Sequence, residues 1–248
     1  MKALVFAAGL GTRLKPLTDT LPKALVPVNG KPLLEHVINK LAANGFDEII
    51  VNVHHFADQI IGFLHENNGF GAHVEVSDER GMLLETGGGI RKASWFFDDN
   101  EPFLVHNVDI LSNVDLEELY RYHRAGDALA TVVVSRRETS RYLLFDDALR
   151  LKGWTNIHTG EVRSPFQTSE AELCQKLAFS GIHVISPAIF GLMESWKGKF
   201  SIIDFYLDVA ARCRIKGYIP MDFEMIDVGK LDSLHEAEEL LKHVDMTN

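Results

Sequence analysis

A short apolar run, Ala3 to Ala7, breaks directly into a loop carrying Gly9, Gly11 and a lone Arg13. A buried strand that feeds a glycine loop constrains a chain strongly. It sets free backbone N–H groups at the end of a strand, where the main chain can approach a ligand closely and phosphate oxygens can accept from it. Arg13 adds a planar fork of donors for the same anions. Pro22-Lys23 places a second cation at a fixed distance down the chain. Together these features predict a site for a polyanionic nucleotide. Two familiar phosphate loops are excluded by inspection: the dinucleotide fingerprint wants a third glycine where Leu14 stands, and the string Gly-x4-Gly-Lys-Ser/Thr is absent.

The remainder alternates strand and helix patterns, which predicts a mostly parallel sheet with helices on both faces. The expected fold is a Rossmann-like three-layer α/β sandwich, one domain over residues 1–248. Pro32 to Asn44 carries Leu33, Leu34, Val37, Ile38 and Leu41 at helical spacing, and Gly45 is placed to end that helix. Further helices are expected over Ala57–Asn67, Leu116–Ala125, Ile202–Arg212 and Leu231–Val244. Strands are expected over Glu48–Val53, His73–Ser77, Phe103–Asn107, Thr131–Val134, Leu177–Ile185, Ile215–Pro220 and Met225–Val228. Between 136 and 180 the rhythm changes. A hairpin turning at Asp146-Asp147 precedes a polar stretch, Asn156 to Glu172, expected to be irregular. This segment reads as a small inserted lobe that caps the site.

Composition narrows the function. The formal net charge is −10, which argues against a nucleic-acid surface, because binding a phosphate backbone wants a basic face. A nucleotide must therefore be held by a local cluster of cations and backbone donors. Cys174 and Cys213 lack any spacing that points to zinc or redox chemistry. The start reads as neither a signal peptide nor a membrane span, so the cytoplasm is the expected compartment.

Three further constellations carry chemistry. In Ser77 to Ile90, Glu79 is placed to accept from a ring N–H or amino group. The backbone around Glu85 and Thr86 offers donors and acceptors to the opposite edge of a base, and Gly87 to Gly89 leave room for it. The string His106-Asn107-Val108-Asp109 puts a polar tip on an apolar strand, where open α/β sheets place ligand groups. Met225-Ile-Asp227-Val-Gly229 ends another apolar strand on a carboxylate. Two carboxylates ending strands of one sheet make a hard-oxygen site for Mg²⁺. His54-His55 does not make a metal site, since adjacent strand residues point to opposite faces.

The stretch Gly9-x-Gly11-Thr12-Arg13, followed by Pro22-Lys23-Ala-Leu-Val-Pro27, resembles the sugar-1-phosphate nucleotidylyltransferases. The version Glu85-Thr-Gly-Gly-Gly-Ile90 is most like the branch of N-acetylmuramate 1-phosphate uridylyltransferases and mannose-1-phosphate guanylyltransferases. The resemblance implies an enzyme that joins a nucleoside triphosphate to a sugar 1-phosphate and releases pyrophosphate. It implies a triphosphate cradle at Ala7, Ala8, Gly9, Gly11 and Thr12, with Arg13 and Lys23 against the phosphates. The base side falls to Glu79, Glu85, Thr86, Gly87 and Asn107, and the acceptor side to Ser180 and Gly181. Asp109 and Asp227 are the implied Mg²⁺ ligands, and with Arg13 and Lys23 the implied catalytic set. Valine at position 108 departs from the family's Asn-Gly-Asp. The Glu-Lys-Pro string with which relatives grip the sugar phosphate is absent, leaving Lys152 or Lys176 as candidate replacements. UTP with an N-acetylhexosamine 1-phosphate is the expected pair, and GTP with a mannose- or heptose-type 1-phosphate is next. Two other readings remain open at this level: a non-catalytic nucleotide-sugar sensor, and a cytidylyltransferase that holds phosphocholine in an aromatic box of Trp154, Phe166 and Phe179.

Overall fold

The structure, a computed structural model, describes residues 1–167 and 173–244, with side chains through 241. Its centre is β1 (Lys2–Phe6), where a run of apolar residues is buried on both faces. Ala3 and Val5 face one hydrophobic core while Leu4 faces a second. Burial of both faces is the mark of a strand inside a parallel sheet. β1 pairs in parallel with β4 (Glu48–Val53) on one side and with β6 (Phe103–Asn107) on the other, and β4 pairs in parallel with β5 (His73–Asp78). Beyond β6 the long strand β12 (Gln175–Ile185) runs antiparallel, followed by β8 (Ala130–Ser135) and β13 (Ile215–Tyr218).

Helices cover both faces. One core joins the sheet to α1 (Leu33–Ala43), α2 (Ala57–Glu66), α4 (Leu116–Arg124) and the terminal helix α7 (Asp232–Val244). The other core holds α3 (Glu85–Lys92), the short α5 (Ile189–Leu192) and α6 (Ile202–Val209). The apolar spacing of α1 buries Leu33, Leu34, Val37, Ile38 and Leu41 as expected. Asp115 caps α4 by accepting from the Glu118 N–H at 2.7 Å.

The sequence pattern misses two small pieces at the loops. A hairpin of β2 (Pro27–Val28) and β3 (Lys31–Pro32) leads into α1, and β7 (Ile110–Ser112) adds an antiparallel partner to the expected strand β14 (Met225–Asp227). Each is too short to show periodicity.

Residues between β8 and β12 build the inserted lobe. β9 (Arg141–Phe145), β10 (Leu151–Asn156) and β11 (Glu161–Arg163) form an antiparallel meander that continues into the first half of β12. The hairpin turns at Asp146, whose Oδ1 accepts from the N–H groups of Ala148 and Arg150. β11 corrects the expected irregularity of 156–172. It is a three-residue edge strand with no buried residue, so no apolar alternation announces it. Residues 168–172 of that stretch lie outside the described residues. β12 thus belongs to the main sheet by its second half and to the lobe by its first. The register slips between Phe179 and His183, where Gly181 has φ +75°. Among the described residues no helix is long and apolar enough to cross a membrane.

Three buried histidines make this fold sensitive to acid. Burial holds His106 and His123 down at about 4 and His183 at about 3, against an ordinary 6.5. His123 contacts Thr131 Oγ1 and Ser186 Oγ, and His183 contacts the Tyr206 hydroxyl. Folded values below the unfolded one mean that the unfolded chain binds more protons. Stability is therefore full above about pH 6.5 and falls as pH drops toward 4, by roughly 1.4 kcal/mol per pH unit for each ring. Unfolding in urea between pH 7.5 and 4.5 is expected to show this early loss, with His123→Gln removing about a third of its slope. Constant stability down to pH 5 would contradict the assignment.

Candidate functional site

A cavity of about 430 Å³ opens at the carboxyl ends of β1, β4 and β6 and is lined by Gly9, Gly11, Thr12 and Arg13 on one side. Gly11 is required there. Its φ is +63°, and a Cβ would stand 2.8 Å from Thr18 Cγ2. Thr18 in turn donates its hydroxyl to the Gly11 carbonyl at 2.7 Å, which closes the turn. The N–H groups of Gly9, Gly11 and Thr12 have no acceptor among the described residues, so they stand ready for an anion.

Lys23 and Asp109 form the charged floor. Lys23, only 8% exposed, sits in a one-turn 3-10 helix after Pro22 and donates its ammonium to Asp109 Oδ2. Asp109 follows β6, and its own carbonyl accepts from the Val228 N–H at 2.8 Å. That bond, with the pairing of Asp227 to Ile110, brings the tips of β7 and β14 together. The two aspartates, more than a hundred residues apart, therefore lie on neighbouring segments, but not on one sheet as expected: β14 pairs with β7 in a separate two-stranded sheet. Arg13 joins them. Its Nη2 and Asp227 Oδ1 both lie within 3 Å of where a Cβ on Gly229 would stand. Glycine at 229 thus leaves room for guanidinium and carboxylate side by side.

This donor set fits Mg²⁺. Among the described residues no cluster of three or more His, Cys, Asp or Glu side chains is assembled. Two hard carboxylates, completed by phosphate oxygens and water, match the habit of Mg²⁺ at phosphate sites. His106 adds no charge nearby, because burial keeps it neutral. Its Nδ1–H donates to the Asn107 carbonyl at 2.8 Å.

On the base side the structure introduces a residue that sequence reading passed over. Asn52, 1% exposed at the end of β4, accepts with Oδ1 from the N–H groups of Ala7 at 2.7 Å and Ala8 at 3.2 Å. Its Nδ2 donates to Glu79 Oε1 at 2.9 Å, and Glu79 Oε2 accepts from the Leu84 N–H at 3.1 Å. Glu79 is itself 1% exposed. Its carboxylate holds Asn52 and the turn before α3 as well as edging the cavity. Ala7 and Ala8 are corrected: both N–H groups are taken by Asn52 and are not offered to a phosphate, and only Ala8 lines the cavity. The only available signal was an asparagine inside the otherwise apolar strand Glu48–Val53.

Glu85 and Thr86 line the cavity as expected. Gly87 does not. A Cβ there would stand 2.3 Å from the Phe200 ring, and at Gly88 2.4 Å from the Gly198 carbonyl. Gly87 and Gly88 make room for the 198–202 segment and Gly89 for Phe6 and Glu79, so the triplet is filled by the protein itself and not by a base. Gly87 N–H donates to the Phe200 carbonyl, and Thr86 Oγ1 accepts from Ile202 N–H at 2.9 Å.

The acceptor residues are also redrawn. Ser180 is 1% exposed with its hydroxyl unpartnered, and it lines no part of the cavity. Gly181 packs on Asn107, whose Nδ2 would stand 2.6 Å from a Cβ at 181. It seats a cavity residue and does not itself face an acceptor. Lys152 lies over the Phe166 ring at 4.2 Å in a different depression of the lobe, and Lys176 is exposed on β12. Neither reaches this cavity. The aromatic box does not assemble, since Phe166 belongs to that other depression while Trp154 carries the Arg163 guanidinium at 4.1 Å.

The sequence matches the model of the nucleotidyl transferase family over residues 2–243. It is 33% identical to the N-acetylmuramate alpha-1-phosphate uridylyltransferase of Caulobacter vibrioides, over 88% of each chain. It is 30% identical to the UTP–glucose-1-phosphate uridylyltransferase of Synechocystis sp., where 96% of this chain spans 62% of that protein. The fold is shared with a UDP-glucose pyrophosphorylase solved with UDP-glucose, at a TM-score of 0.77 and 19% identity over 98% of both chains.

The Asn52–Glu79 arrangement is testable by exchange of donors. Asn52→Asp sets two carboxylates together, and Glu79→Gln sets an amide N–H against a donor. Each single variant is expected to lose about 1–3 kcal/mol of stability. The double variant restores every pairing, with a glutamine donating to an aspartate and accepting from Leu84. Its urea midpoint should return close to wild type. Simple additivity of the two losses would refute the pairing.

Proposed function

Because the chain belongs to the nucleotidyl transferase family, we propose that it joins a nucleoside triphosphate to a sugar 1-phosphate, making a nucleoside diphosphate sugar and pyrophosphate. UTP with an N-acetylhexosamine 1-phosphate is the proposed pair, and the cytoplasm the proposed location. We take residues 1–248 as a single catalytic domain, with the inserted lobe on the acceptor side. The observation that carries this reading is the meeting of Arg13, Lys23, Asp109 and Asp227 around unpaired loop N–H groups, in a chain of net charge −10. Similarity to the Caulobacter enzyme over nearly the whole of both chains favours uridylyl over guanylyl transfer.

The chemistry follows from charge. The attacking group, a sugar phosphate, is already an anion, so no protein base or nucleophile is needed. The barrier comes from bringing anions together and aligning them at the α-phosphorus, which positioning and preorganised charge can lower. The N–H groups of Gly9, Gly11 and Thr12 hold the triphosphate, and Arg13 stabilises the charge that builds on the departing pyrophosphate. Lys23 is already fixed by Asp109 and turns toward the reacting phosphates without reorganising the loop. When bound to Asp109 and Asp227, Mg²⁺ supplies neutralisation of the phosphate oxygens. The unformed aromatic box counts against phosphocholine as acceptor.

Pyrophosphate release should be measured across the nucleoside triphosphates with a panel of sugar 1-phosphates and phosphocholine, with and without Mg²⁺. Turnover is expected to be best with UTP and an N-acetylhexosamine 1-phosphate, and Arg13→Ala or Lys23→Ala should lower it by about 10²-fold or more. Activity confined to CTP and phosphocholine would contradict the reading. So would near-normal activity in either variant.

A further inference from the structure

A second cleft, of about 540 Å³, lies between the lobe and the start of α6, and its charges do not balance. Its ionisable walls carry Arg137, Arg141 and Arg163 against Glu161 and Asp204. Both carboxylates are spent on one cation: Arg163 pairs with Asp204 and with Glu161 while lying over the Trp154 ring. Among the described residues Arg137 reaches only the Phe179 carbonyl, at 3.2 Å. Arg141 has no side-chain partner among the described residues. Two guanidinium groups therefore face one cleft without a counter-charge, on a protein with ten more acidic than basic side chains.

This cleft adjoins the nucleotide cavity at two places. Thr86, in the cavity wall, is bonded to Ile202, whose neighbours Ser201 and Ile203 line the cleft. Asn107, in the same cavity wall, packs on Gly181, two residues from Phe179 of the cleft. The cleft is thus placed beside the nucleotide cavity for holding an anionic group of the second substrate. Arginine is suited to this task, since its planar fork matches carboxylate and phosphate in two-point contact.

We propose that Arg137 and Arg141 form the anion site of the acceptor, gripping an anionic group of the sugar 1-phosphate in the role that neither Lys152 nor Lys176 is placed to fill. The inference rests on the nucleotidyl-transfer reading above. The gripped group is either the 1-phosphate or a carboxylate carried on the sugar ring. Two acceptors separate these: N-acetylglucosamine 1-phosphate has the phosphate alone, and N-acetylmuramate 1-phosphate adds a carboxylate.

The test measures KM for each acceptor and for UTP in wild type, Arg141→Gln, Arg137→Gln and Arg141→Lys. Loss of a guanidinium is expected to raise the acceptor KM by about tenfold or more, the scale of one charge-assisted contact, with the KM for UTP unchanged and Arg141→Lys intermediate. An equal rise for both acceptors assigns the phosphate, and a rise for N-acetylmuramate 1-phosphate alone assigns the carboxylate. Unchanged acceptor KM values, or an equal rise in the KM for UTP, would overturn the proposal. Should wild type turn over no acceptor, the nucleotidyl-transfer reading fails first. The cleft is then judged by thermal protection with the same two compounds: protection of wild type that is lost in Arg141→Gln supports the anion site, and equal or no protection refutes it.

Discussion

Lys23 is an ammonium buried to within 8% of full enclosure, and a charge so placed must be neutralised or expelled. Asp109 neutralises it. That single pairing ties the Pro22-Lys23 turn to the tip of β6 and, through the Asp109 carbonyl, to Val228 at the end of the chain's last strand. Three distant stretches of sequence become one rigid surface. The same pairing gives the site its chemical character. It holds a cation beside a carboxylate in the cavity wall.

Asn52 does for the backbone what Asp109 does for charge. By binding the N–H groups of Ala7 and Ala8 it fixes where β1 stops being a strand, and so where the free N–H groups of the glycine loop begin. Glu79 fixes Asn52, and the Leu84 turn is fixed with it. The glycine loop and the turn before α3 are thus set by one buried chain of hydrogen bonds, which couples strongly because each member would be costly to leave unpaired.

The sheet, its helices and the glycine loop were legible because their signals are local. Strand Glu48–Val53 is apolar at Ile49, Ile50, Val51 and Val53, helix α1 repeats at 3.6 residues, and Gly11 stands where only positive φ serves. Asp109 and Asp227 were legible as strand tips, although their meeting needs the β7–β14 pairing, which two three-residue strands do not announce. What stayed hidden depends on long-range packing. The triplet Gly87–Gly89 looks like space for a ligand until Phe200, Gly198 and, at Gly89, Phe6 and Glu79 are seen to fill it. Ser180 looks polar and available until β12 buries it. Arg137 and Arg141 are ordinary surface arginines in sequence, and only the use of both nearby carboxylates by Arg163 makes them conspicuous.

On the proposed function, this site works by assembling and neutralising anions, so that the sugar phosphate displaces pyrophosphate in one in-line step with no covalent bond to the protein. The stereochemistry at the α-phosphorus tests this most directly. Wild-type protein would be given one diastereomer of the α-thio analogue of UTP together with the acceptor it uses best, and the configuration of the nucleotide-sugar product determined by phosphorus NMR. A single displacement predicts inversion. Retention would require two displacements through a nucleotidylated side chain, and would contradict the account.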